Sequence, residues 1–152
     1  MRRLSGVVLA GAILMLPAFS QNAGVQAQAP QKLTMEGDLA LWSVAIRPDK
    51  TADFEKILMK VKEALGKSSA PEAKQQLAGW RVVKMAKPMP DGNIIYTHVI
   101  TPVAGADYNI LQVLYATFTD PAEQKELYEL YRGAFAANLG ISSGTVASDL
   151  SK

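Results

Sequence analysis

The stretch TADFEKILMKVKEALGK, residues 51 to 67, constrains the fold of this chain more than any other segment. Phe54, Ile57, Leu58, Val61 and Leu65 recur at helical spacing and form one apolar stripe, while Lys56, Lys60, Glu63 and Lys67 lie off it. Thr51 is placed to cap the start and Gly66 to end the helix. An amphipathic helix of this kind must lay its stripe on another apolar layer. The segments around it change period and supply one. ALWSVAIR, 40 to 47, is rich in β-formers and bounded by Pro48, which predicts a strand.

Ser69 and Glu72 have capping-box spacing and predict a short helical turn in SSAPEAKQQLAG. GWRVVKMAK, 79 to 87, predicts a second strand. Pro90, Asp91 and Gly92 supply turn chemistry, and NIIYTHVITP returns as a third strand in a hairpin with the second. GADYNILQVLYATF fits a helix through Ile110, Leu111, Leu114 and Phe118, with Asp107 as cap, although a buried strand has a similar pattern. TDPAEQKELYELYRGAFAANLG is a helix announced by Asp120 as N-cap, Pro121 at the first position and Glu123 after it; Leu127, Leu130, Tyr131 and Ala134 form its stripe. ISSGTVASDL, after Gly140, predicts a short closing strand.

This order of elements is that of an α+β, ferredoxin-like antiparallel sheet with helices on one face. LWSVAIRPDKTADFEKILMKVKEAL, followed by the hairpin GWRVVK…NIIYTHVI, resembles the dimeric α+β-barrel superfamily over roughly residues 39 to 150. That superfamily includes antibiotic-biosynthesis-type monooxygenases and stress-responsive barrel proteins, and the likeness is greatest to exported bacterial members without an assigned role. It implies a homodimer. Haem-degrading members hold iron with a histidine on a helix, and this sequence has none at a predicted helical position. Cofactor-free oxygenases of the superfamily use asparagine, tryptophan and tyrosine around a cleft; Asn109, Trp42 and Tyr96 offer those residue types.

Ahead of the domain, Arg2 and Arg3 precede an apolar run of thirteen, Val7 to Phe19, too short to span a bilayer comfortably but suited to a signal peptide. Val25-Gln26-Ala27 is a small-x-small site. Cleavage after Ala27 leaves residues 28 to 38 as a flexible lead-in and 39 to 150 as a single domain, exported by a Sec-type route to the periplasm or beyond, with no stable membrane insertion after signal removal. Loss of Arg2 and Arg3 brings the 16 basic residues level with the 14 acidic ones. A neutral domain lacks the electrostatic footprint of a nucleic-acid binder. The chain has no cysteine, so disulfides are excluded and stability rests on the core.

With one histidine and no cysteine, a metal site of the His/Cys type is excluded. No glycine-rich phosphate loop follows a strand, and no cofactor is implied. GISSG, 140 to 144, lacks the strand-to-helix setting of a nucleophile elbow. What remains is the third strand. Alternation places Ile94, Tyr96, His98 and Ile100 on one face, with Tyr96 and His98 about 7 Å apart at Cα. A buried hydroxyl and imidazole must find hydrogen-bond partners or border a cavity. His98, Tyr96, Trp42 and Asn109 are therefore the candidate ligand-pocket residues; no catalytic residue is assigned. Trp42 and Trp80 suit the core better than a stacking platform. Arg81, Lys84 and Lys87 suit a guarded sheet edge, and Tyr108, Tyr115, Tyr128, Tyr131 and Phe135 suit packing from helices. Two functions compete, beside a third reading with no ligand at all, only a structural or protein-interaction role in the periplasm. One is an exported homodimeric binding or accessory protein with a small pocket for an apolar or aromatic molecule. The other is a cofactor-independent monooxygenase or isomerase acting on a small organic compound.

Overall fold

A computed structural model describes residues 31–150; the predicted signal peptide lies outside them. Four strands and four α-helices follow in the order β1 (Leu39–Ile46), α1 (Thr51–Lys67), α2 (Ala73–Gly79), β2 (Trp80–Lys84), β3 (Ile94–Ile100), α3 (Ile110–Thr117), α4 (Pro121–Ala134) and β4 (Phe135–Gly144). The strands form one antiparallel sheet ordered β2-β3-β1-β4. The chain is thus α+β, in an arrangement compatible with the ferredoxin-like plan.

Alternation along the strands divides the sheet into two unlike faces. Ala40, Trp42, Val44 and Ile46 of β1 and Tyr96, His98 and Ile100 of β3 are buried, in one core with Phe54, Ile57, Val61 and Leu65 of α1, Ile110 and Leu114 of α3, and Leu127 of α4. The stripe of α1 predicted from spacing is the one that packs, extended by Ala64, with Leu58 at its margin. Lys56–Glu126 and Lys60–Glu123, both at 3.1 Å, tie the outer side of α1 to α4. Such exposed pairs each contribute less than about 1 kcal/mol, so burial dominates.

Several boundaries differ from the sequence expectation, each for a local reason. Pro48 starts a 3₁₀ turn, Pro48–Lys50, that runs into α1, so Thr51 is already helical and no side chain caps this end. The Ser69–Glu72 capping box is not formed; Ser68 Oγ instead accepts from Ala70 N at 3.2 Å, and α2 begins uncapped at Ala73. The ambiguous segment is helix, but Asn109, not Asp107, is its N-cap. Asp107 Oδ1 accepts from Asn109 N and Leu33 N, both at 2.9 Å. The lead-in is docked here: Leu33 O also accepts from Tyr108 N at 2.8 Å, and Met35 is buried.

The largest correction is at the C-terminal end. The fourth helix was expected to run toward Gly140 and a strand to follow it; α4 stops at Ala134 and β4 occupies Phe135–Gly144. Phe135 is therefore a strand residue, and Tyr108 precedes α3, although both still pack on the core. The Asp120 cap is as expected, its Oδ1 accepting from Ala122 N and Glu123 N at 2.9 Å. AFAAN, with three alanines, locally favours helix. What overrides this is the open edge of β1, whose backbone groups pair with β4 from Ile46↔Phe135 to Leu39↔Gly144, with two register shifts. Gly37 closes that end at φ +79°, where a Cβ would lie 2.5 Å from Gly144 O.

Candidate functional site

Three of the four residues singled out in the sequence converge. Trp42 and His98 are register partners on β1 and β3 and stack with ring centroids 4.6 Å apart and planes 23° apart. Trp80, at the start of β2, reaches diagonally across the hairpin, and its Nε1–H donates to His98 Nδ1 at 2.9 Å. Phe54 of α1 closes the cluster edge-on, 6.2 Å from His98 and 5.0 Å from Tyr96. The fourth, Asn109, is spent on capping: its Oδ1 accepts from Leu111 N at 3.2 Å and Gln112 N at 3.4 Å.

The indole N–H of Trp80 can only donate, so His98 Nδ1 must be the unprotonated nitrogen. The proton of the neutral ring is then on Nε2, and Nε2 is buried without a hydrogen-bond partner. Such an orphaned donor costs about 1–3 kcal/mol. His98 is 0% exposed. Burial among rings lowers its pKa from 6.5 to about 4. The histidine is thus a neutral core side chain at pH 7.

Tyr96 is also committed. Its hydroxyl donates to Glu55 Oε1 at 2.6 Å, and Lys84 Nζ donates to the same oxygen at 3.0 Å. The Tyr96 and Lys84 hydrogen bonds hold the Glu55 carboxyl below its usual range, whereas burial raises the phenol. The three side chains clamp α1 to β2 and β3. Lys84 therefore does more than guard the edge strand. Trp42 Nε1–H donates to Asn138 Oδ1 at 3.1 Å, which joins β4 to the aromatic cluster.

Open space lies elsewhere on the molecule, at sites that include one the sequence reading did not anticipate and one that the apolar alternation of the third strand implied. A cavity of about 270 Å³ sits between the C-terminal end of α1, α2 and α3. Its lining includes Leu65, Glu72, Gln76, Asp107 and Val113, with Lys32 at the lead-in side. Gln76 is 3% exposed, and its Nε2 donates to Asp107 O at 2.7 Å. Glutamine is rarely buried without a task, but that burial is visible only in the structure and the sequence around Gln76 carries no signal of it. Among the described residues no group of three or more histidine, aspartate or glutamate side chains is arranged to hold a metal ion.

The second place is the sheet face turned away from the core. Leu39, Leu41 and Val83 are 39%, 41% and 45% exposed, with Ile95 and Val99 half-buried among them. Ser43 and Thr97 share a hydrogen bond of 2.9 Å in the middle of this face. A shallow groove of about 350 Å³, lined by Leu39, Leu41 and Ser142 to Val146, runs along its β1–β4 end. No family model, curated protein or solved structure matches this chain.

Proposed function

We propose that this chain is an exported, homodimeric binding or accessory protein of the dimeric α+β-barrel kind, two copies apposing the open faces of their sheets. The observation that carries the reading is the exposed apolar face made by Leu39, Leu41, Val83, Ile95 and Val99, which no described element covers. Apolar patches of this kind on soluble proteins mark contact surfaces. The neighbouring edge supports the same reading. β2 is short and carries Arg81 and Lys84, whereas β4 is ten residues long and has no charged residue at all. Edges left without charges are ones that a protein expects to cover. A neutral, self-complementary surface suits an isologous two-fold contact.

The enzyme reading draws no support from the third strand, since the polar atoms of His98 and Tyr96 face protein. The cavity at Gln76 is our candidate space for a small molecule. Sedimentation velocity tests the dimer: the wild-type chain sediments as a dimer at micromolar concentration, and Leu41→Lys combined with Val99→Lys yields a folded monomer. A wild-type monomer would refute the assembly.

A further inference from the structure

We infer that the cavity between α1, α2 and α3 takes a small aliphatic ammonium compound, with Gln76 Oε1 as the acceptor that receives its charged N–H. This rests on the binding reading above and names the ligand class. Gln76 is 97% buried by its surroundings, being 3% exposed, and its amide nitrogen is fixed on Asp107 O at 2.7 Å. That bond sets the amide plane and leaves Oε1 as an acceptor that no described residue satisfies, on a side chain that lines the cavity. An amide oxygen held in one orientation on a cavity wall is free to accept a hydrogen bond from what enters.

Electrostatics select the charge of the missing donor. The carboxylate residues Glu72 and Asp107 line the space, against the single cation Lys32, whose Nζ is occupied by Gly105 O at 3.2 Å. The cavity also abuts the last turn of α1, at Ala64 and Leu65, where the helix dipole places partial negative charge. An anion would meet the Gln76 acceptor, the Glu72 carboxylate, an Asp107 carboxylate whose Oδ1 is already held by Leu33 N and Asn109 N, and a negative helix end. An ammonium group meets complementary partners at Gln76, Glu72 and the helix end, against the one like charge of Lys32. The remaining wall is small and aliphatic, with Ala73, Val113 and Ala116. At about 270 Å³ the space is just below the size at which pockets for drug-sized ligands begin, about 300 Å³, which restricts the ligand to a short alkyl body.

The test is a ¹H–¹⁵N NMR titration of the purified chain with n-butylammonium chloride, set against n-butanol, sodium butyrate and sodium chloride. The expected result is saturable shifts at the Gln76 side-chain amide and at Ala73 and Val113 with butylammonium, and at least tenfold weaker effects from the other probes. Gln76→Leu removes the acceptor, and Ala116→Phe fills the rim from an exposed position without touching the hydrogen bond to Asp107. Both should weaken butylammonium binding at least tenfold, and Ala116→Phe keeps the test valid should Gln76→Leu fail to fold. Equal binding of butanol or butyrate would overturn the ammonium assignment while leaving a binding cavity. No saturable shift with any probe, in a chain that still sediments as a dimer, would overturn the cavity site itself and leave the assembly untouched.

Discussion

His98 should make this protein acid-labile in a window where most carboxylates are still ionised. In the unfolded chain the imidazole titrates near 6.5; folded, burial lowers it to about 4. Between those values the unfolded state binds a proton that the native state refuses. Stability is therefore complete above pH 6.5 and declines as pH falls, until the native ring also protonates near 4. The linkage relation gives a loss of about 1.4 kcal/mol at pH 5.5 and about 2.5 kcal/mol at pH 4.5, approaching about 3 kcal/mol at the bottom of the window. No carboxylate offsets this, because the ring is walled by Trp42, Phe54 and Trp80, and Glu55 is engaged by Tyr96. The assay is urea denaturation at a series of pH values for wild type and His98→Gln. Glutamine can still accept from Trp80 Nε1 but does not titrate, so at pH 7 the variant should lose only about 1 kcal/mol. Glu55 and Glu63, also held below their ordinary range, destabilise both proteins alike on acidification, so the difference isolates His98. Equal pH slopes in the two proteins, or a His98 resonance that titrates above pH 6 in the folded chain, would refute the reasoning.

Asn109→Ala should cost about 1 kcal/mol by uncapping α3 and leave butylammonium binding within a factor of three, read by urea denaturation and NMR titration. Gly37→Ala should destabilise by at least about 1–2 kcal/mol, because φ +79° and the 2.5 Å approach to Gly144 O both exclude a Cβ; an unchanged urea midpoint would contradict this. N-terminal sequencing of exported protein should begin at Gln28, and a product that retains Met1 would rule out cleavage.

The elements whose signals are local were legible in the sequence. The stripe of α1, the Asp120 cap with Pro121, the hairpin turn at Asp91-Gly92 and the alternation of β3 each depend on residues within a few positions of one another. Those signals also placed His98 and Tyr96 on the core side of a central strand and left the reverse face apolar. Tertiary structure decided what depends on partners far along the chain. Ala134 and Phe135 part company only because β1 needs pairing on its free edge. Trp80 reaches His98 because antiparallel pairing places it diagonally across the hairpin, and the two rings join one buried cluster. Glu55 meets Tyr96, 41 positions away, because α1 crosses the sheet at that point. The Gln76 cavity arises where three helix ends fail to fill the volume between them. Hydrophobic period and capping chemistry are properties of a segment and can be read from it; edge pairing, ring stacking and voids are properties of two or more segments at once, set only when the core closes.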